Sequence, residues 1–226
     1  MTPEELQNRL LYRDGMMLIL DKPAGLPVHA GPKGGENLEQ YFDGLRFGWS
    51  KPPALSHRLD RDTSGCLVLG RHPKALRKLG KLFSSGKVKK AYWAITHGIP
   101  EQDSGTIDLP LTKRSTAQKG WWMEVDEQEG KASITDYKVL GKAEGHAWLE
   151  LSPRTGRTHQ IRVHLAAIGC PIVGEYMYSD IKPEQPLHLH SRSITLPLYK
   201  NKDAITATAE PPEHMLASLA ACGYQR

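Results

Sequence analysis

Residues 57–65 read His-Arg-Leu-Asp-Arg-Asp-Thr-Ser-Gly and set Asp60 and Asp62 among Arg58 and Arg61. A carboxylate between guanidiniums stays ionised, because the opposite charge favours its charged form. An ionised carboxylate can attack carbon as a covalent nucleophile. It can equally be half of a structural ion pair, and the local sequence by itself favours that plainer role. A third chemistry is open too. Residues two apart on an extended segment point the same way, so Asp60 and Asp62 could form a glycosidase-like couple. Neither lies in an apolar stretch that would raise its pKa for acid work, which weakens that scheme.

Other chemistry-bearing residues are more scattered. His188 and His190, or His159 and His164, have spacings that could ligate a metal, but no nearby Cys or paired carboxylate completes a site. They read as hydrogen-bonding or phosphate-facing histidines, and neither a metal nor an organic cofactor is expected. Residues 31–35 are glycine-rich but lack the following Lys-Ser or Lys-Thr of a P-loop. Trp121 and Trp122 could stack on a base or pack, and packing is the expectation. Cys66 sits in an apolar run and reads as core.

Positive charge is unevenly spread. Between residues 71 and 90 stand Arg71, Lys74, Arg77, Lys78, Lys81, Lys87, Lys89 and Lys90, with no acid among them. A solvated helix face normally mixes signs, so phosphate contact is expected here. Residues 154–164 form a second acid-free stretch with Arg154, Arg157 and Arg162. If both line one surface, they would follow an RNA backbone and affinity would fall with salt.

The elements that must hold these residues follow from patterning. The chain has 226 residues, 39% hydrophobic and 24% charged, enough for a packed core. Residues 16–20 read as a buried strand ending in an Asp-Lys-Pro-Ala-Gly turn cluster. A short helix is plausible over 37–47. Residues 66–69 form a strand that the 57–65 loop enters. Pro73 opens a helix to about Phe83, with Leu76, Leu79, Leu82 and Phe83 on one face. Strands follow at 92–96, near Ile107, at 134–140 and at 147–151. Thr158 could cap a helix ending at Gly169. Strands near Ile194 and Ile205 precede a helix over 213–222. Many strands and few helices imply a largely antiparallel α+β fold. Three widely spaced cysteines, 66, 170 and 222, argue against a disulfide framework and fit a reducing cytoplasm. The polar N-terminus does not read as a secretory signal, and no early apolar run could span a bilayer.

Four segments, in order, resemble the motifs of the RluA family of pseudouridine synthases. They are Asp21-Lys22-Pro23-Ala24-Gly25-Leu26-Pro27-Val28-His29, then the 57–65 segment, then Lys90-Ala91-Tyr92, then Gly156-Arg157-Thr158-His159-Gln160-Ile161-Arg162-Val163-His164. The likeness continues through residues 169–174 and covers roughly 11–198. It implies a pseudouridine synthase catalytic fold: one domain over 1–226, with a large mostly antiparallel mixed sheet, flanking helices and loops, and a central RNA-binding cleft. It implies isomerisation of specific uridines in structured RNA. Asp60 matches the family's catalytic aspartate, Arg162 a basic residue that pairs with it, and Tyr92 a tyrosine that stacks on the target base. Arg58 matches an arginine thought to fill the gap left by the flipped base, and Asp62 falls at a variable position. The resemblance and the charge pattern together make His57, Arg58, Arg61, Arg157 and His159, with Lys74, Lys78 and Lys90, the expected RNA-binding residues.

Two departures are visible. About ten residues precede the first matching strand, so the S4-type RNA-binding domain of many members is expected to be absent. The compact relatives modify a tRNA loop or stem, or a large-subunit ribosomal RNA hairpin, and a monomer with no obligate protein partner and no membrane association is expected. Glu175 and the Tyr176-Met177-Tyr178 run differ from the usual pattern and are expected to lie outside the chemistry. Two other classes compete with the enzyme. A non-catalytic RNA chaperone would leave RNA modification unchanged on deletion. A metal-dependent hydrolase would lose activity to a chelator.

Overall fold

A computed structural model describes residues 1–31, 34–118 and 120–225. Two positions of the glycine-rich segment, Pro32 and Lys33, lie outside the described residues. In chain order the elements begin with α1 (Pro3–Gln7), β1 (Leu10–Arg13), β2 (Met17–Lys22), a 3-10 helix (Leu38–Leu45), β3 (Ala54–Leu55), β4 (Ser64–Gly70) and α2 (Pro73–Ser84). Then come β5 (Lys89–His97), β6 (Ser104–Asp108), β7 (Leu111–Thr116), β8 (Gly120–Val125), β9 (Ile134–Ala143) and β10 (His146–Pro153). The chain finishes with α3 (Gln160–Ala167), β11 (Leu189–Leu196), β12 (Ile205–Thr208) and α4 (Glu213–Ala221). The result is α+β, with mostly antiparallel strands and few helices, as the pattern implies. Contacts gather in two compact units where the sequence suggests one domain over 1–226. One unit holds Met1–Lys90 and Ser191–Pro211, the other Ala91–His190 and Pro212–Arg226.

In the first unit β2 lies between β1 and β4. Met17, Leu18, Ile19 and Leu20 are all buried, as expected of a strand covered on both faces. Its antiparallel register sets Leu20 against Leu67, Asp21 against Cys66 and Lys22 against Gly65. That register brings the start of the first motif, Asp21 and Lys22, beside the start of β4, where the 57–65 loop enters. Pro73 occupies the first turn of α2, and the His72 ring accepts the Ala75 N–H at 3.2 Å, capping the helix. Leu79, Leu82 and Phe83 pack onto Met17, Ile19, Cys66 and Val68.

In the second unit β5, β10, β9 and β6 form an antiparallel run. Side chains alternate across it. Tyr92 and Ala94 turn to the face that packs with Ile161 and Leu165 of α3. Trp93 and Ile95 turn to the other, which packs with Met215 and Leu219 of α4. One face therefore carries both Tyr92 and α3.

The helix expected over 37–47 is the 3-10 helix Leu38–Leu45. The cap of α3 is His159 rather than Thr158, and it caps without a side-chain bond. The β7–β8 ribbon was not foreseen, because its strands carry charge and tryptophan in place of apolar alternation. The three cysteines are buried and unpaired by disulfide. Among the described residues no helix is long and apolar enough to cross a membrane.

Candidate active site

The first unit supplies the loop that carries Asp60. His57 anchors its start. The His57 Nε2 accepts the Val68 N–H at 2.9 Å, and the ring stacks on Phe83 with centroids 4.6 Å apart. Burial, with Lys90 nearby, holds the His57 pKa down at about 3. The ring is neutral at physiological pH with its proton on Nδ1, since Nε2 is the acceptor. His57 was expected to contact RNA; its ring is instead occupied in holding the loop to β4. Ser56 adds a hydroxyl bond to the Val68 carbonyl at 2.7 Å.

Lys22 anchors the other side. Its side chain is wholly buried. Its ammonium donates to the carbonyls of Pro23 at 2.6 Å, Leu26 at 2.7 Å and Arg61 at 2.9 Å. An ammonium has three N–H groups, so every donor is used. The Arg61 bond ties the loop to the turn after β2. Burial pulls the Lys22 pKa down to about 7, against the carboxylates of Asp62, Asp60 and Asp21, which favour the charged form. Lys22 lies in a motif of the resemblance that assigns it no role; the available signal is that it closes a strand whose first four residues are apolar and buried.

Between the anchors, Asp62 is held by Arg61 through two bonds, Nε to Oδ1 at 3.0 Å and a terminal nitrogen to Oδ2 at 3.2 Å. That pair fits the bystander reading of Asp62. Asp60 is half-buried, its carbonyl accepts the Thr63 N–H at 3.2 Å, and Leu59 beside it is core. Arg58 and Arg61 are exposed.

Tyr92 and Arg162 lie in the second unit. Tyr92 stands opposite Leu151 on β5, half-buried against the α3 side. Arg162 on α3 is buried to 1%, and its guanidinium meets Glu175 in a bidentate pair, Nε to Oε2 at 2.7 Å and a terminal nitrogen to Oε1 at 2.6 Å. Glu175 is equally buried. It also accepts the Met177 N–H at 2.8 Å. Gly174 fixes the turn before it: φ is +82°, and a Cβ there would overlap the Pro186 carbonyl. The sequence placed Glu175 outside the chemistry. The structure makes it the carboxylate that holds Arg162.

His159 continues this network. Its backbone is left-handed, φ 52°, which non-glycine residues seldom adopt. Its Nε2 lies 3.2 Å from an Arg162 nitrogen and its Nδ1 2.7 Å from the Tyr178 hydroxyl. Arginine can only donate, so Nε2 accepts and Nδ1 carries the proton toward Tyr178. The Tyr178 oxygen also accepts the Met123 N–H at 3.2 Å. Gln160 next to it uses its whole amide: the oxygen accepts from Thr155 and the Arg157 N–H, and the nitrogen donates to Ile134 and Thr135.

The remaining expectations divide. On α2, Lys74, Arg77 and Lys81 are exposed, and Lys78 sits 5.2 Å from the Tyr199 ring. Arg71 belongs elsewhere: it is 8% exposed and donates to the carbonyls of Asp14 and Arg46. Lys90 is half-buried with a pKa lowered by burial. The second basic stretch divides: Arg154 is exposed but paired with Asp136 at 2.6 Å, Arg157 is exposed, and Arg162 is buried. His164 and His188 are buried and hydrogen-bonded on both ring nitrogens, to Thr135 and Leu109, and to Pro186 and Ser218. Burial lowers the pKa of each. Trp121, expected to pack, is 40% exposed.

A family model described as RNA pseudouridylate synthase matches residues 16–167. An RNA pseudouridine synthase of Zymomonas mobilis, itself uncharacterised, is 46% identical over 211 residues, covering 92% of this chain and 95% of that one. Mitochondrial pseudouridylate synthase RPUSD4 of Xenopus tropicalis is 33% identical over 238 residues, covering 85% and 74%. The solved structure of human RNA pseudouridylate synthase domain containing 4 superposes with a TM-score of 0.82 at 28% identity, covering 97% and 95%. The chain belongs to the RNA pseudouridylate synthase family. It is an enzyme that isomerises uridine to pseudouridine in RNA.

Two outcomes test the anchors. Glu175→Gln leaves a buried guanidinium short of its carboxylate, a loss of about 3–5 kcal/mol. In a protein of this size that lowers Tm by on the order of 10 °C, read by calorimetry. Lys22 has a folded pKa of about 7, below its ordinary 10.5, so the unfolded chain binds the extra proton between those values. Its contribution to stability therefore rises with pH across that window and is lowest below it. Urea unfolding at pH 7 and pH 9 should show the gap between wild type and Lys22→Met widening at the higher pH.

Proposed function

We propose that Asp60 is the nucleophile of the isomerisation, with Arg162 as the positive charge that balances it and Tyr92 as the aromatic surface for the target base. A uridine cannot be detached and rejoined inside a helical stack, so the reaction requires extrusion, at about a few kcal/mol. Structured RNA loops lower that cost, and their splayed bases stack on aromatics. The Asp60 carboxylate then acts in one of two ways: it attacks the ribose, or it assists loss of a ribose proton. In both, the bond from uracil nitrogen to ribose breaks, the base turns, and a carbon–carbon bond forms. The carbon that joins the ribose gives up its proton and the freed ring nitrogen takes one up; the Asp60–ribose bond breaks as the carbon–carbon bond forms, or the ribose regains the proton it lost. Arg58 fills the space the base vacates. Exposed Lys74, Arg157 and Arg61 contact phosphates. The RNA is a tRNA loop or stem, or a large-subunit ribosomal RNA hairpin, and the enzyme acts as a cytoplasmic monomer.

The observation that supports this assignment most is the anchoring of the loop on both sides of Asp60. The His57 Nε2 accepts the Val68 N–H on one side, and the Lys22 ammonium donates to the Arg61 carbonyl on the other. A nucleophile benefits from such pre-positioning. Asp60→Asn should cut pseudouridine formation by on the order of a thousand-fold or more while RNA affinity survives. Asp62→Asn should stay within about ten-fold of wild type, since an ion pair with an exposed arginine contributes little. Turnover by Asp60→Asn at the wild-type rate would remove Asp60 from the chemistry.

A further inference from the structure

The β7–β8 ribbon has two faces of different character. Residues opposite one another in an antiparallel pair share a face. Lys113 faces Met123 and Ser115 faces Trp121. Leu111, Lys113, Trp121 and Met123 therefore lie on one side. The inner end of that side is closed, with Leu111 and Met123 packed on Val163 of α3. The outer end is open. The other face is already neutralised: Arg114 pairs with Glu124 at 2.8 Å and Asp126 at 2.7 Å.

At the open end Trp121 is 40% exposed. Its ring lies 5.0 Å from the His159 ring, and the Lys113 ammonium lies 4.9 Å from the indole centroid. An indole left in water forgoes burial it could otherwise have. Here it is steadied by His159, whose ring is itself fixed by Arg162 and Tyr178. The combination is a partly exposed indole with a cation over its ring and a histidine ring tilted against it. A nucleotide offers the matching pair, a flat base and a phosphate.

We propose that Trp121 and Lys113 form a stacking platform for an unpaired nucleotide of the substrate RNA other than the uridine that reacts. Trp121 stacks on the base and Lys113 meets a phosphate next to it. Stacking accepts any base, so the platform adds affinity and positions the strand without reading sequence. This rests on RNA being the substrate of the enzyme. The occupant is RNA rather than a protein because an exposed indole and an ammonium match a base and its phosphate.

The test uses the full chain and total RNA from cells lacking the enzyme. A stacked base contributes about 1–3 kcal/mol, so Trp121→Ala should raise KM for pseudouridine formation by on the order of ten-fold and leave kcat nearly unchanged. Trp121→Phe should recover most of that loss, and Lys113→Gln should fall between. A single-stranded oligouridylate should quench tryptophan emission of the wild type more than that of Trp121→Phe at equal binding. Unchanged KM in Trp121→Ala overturns the proposal. So does a fall in kcat at constant KM, which would make Trp121 a positioning residue for His159. Because kcat reports the isomerase separately, neither result is confused with failure of the enzyme itself. If Trp121→Ala fails to fold, the quench comparison decides: equal quenching in wild type and Trp121→Phe overturns the proposal.

Discussion

A cation taken out of water must find a partner for its charge and for every donor it carries, and both halves of this protein are arranged around one that does. A buried ion left without partners costs several kcal/mol, more than most single interactions can return. In one unit the ion is the Lys22 ammonium, whose three N–H groups end on three carbonyls. In the other it is the Arg162 guanidinium, held in two bonds by Glu175. Neither can relax without unmaking its surroundings.

What these cations hold is backbone and loop. Lys22 joins the turn after β2 to the Arg61 carbonyl, and so fixes the segment that carries Asp60. His57, neutral and stacked on Phe83, fixes the same segment from its start. Arg162 and Glu175 together secure His159 in a left-handed conformation and the residues after Gly174. Gln160 then ties the turn before α3 to β9 through four bonds. Residues that would be expendable on a surface become structural because their neighbours are buried polar groups that must stay satisfied. Rigid supports of this kind suit an isomerase that must keep hold of a detached base long enough to turn it.

Much of this was legible in the residues. Pro73 announced α2, the 16–20 run announced β2, and the four ordered motifs carried the family. The failures share a cause. Arg71 and Arg162 belong to acid-free basic stretches that read as surface, whereas Arg71 points inward to the Asp14 and Arg46 carbonyls and Arg162 to Glu175. Glu175 lies where the run departs from the usual family pattern, and nothing local marks it as the partner of Arg162, thirteen residues back. Thr158 looked like a cap by residue type, but the left-handed turn at His159 displaced it. The β7–β8 ribbon has one face of paired charges and one of mixed Lys, Trp and Met, so strand alternation gave no signal. In each case a tertiary contact outweighed a local preference.

The proposed role of Asp60 is tested by chemical mapping of pseudouridine in total RNA from a deletion strain carrying the wild-type gene, the Asp60→Asn gene or none. At least one pseudouridine should be missing without the gene, restored by the wild type and still missing with Asp60→Asn. A map restored equally by both genes would contradict it.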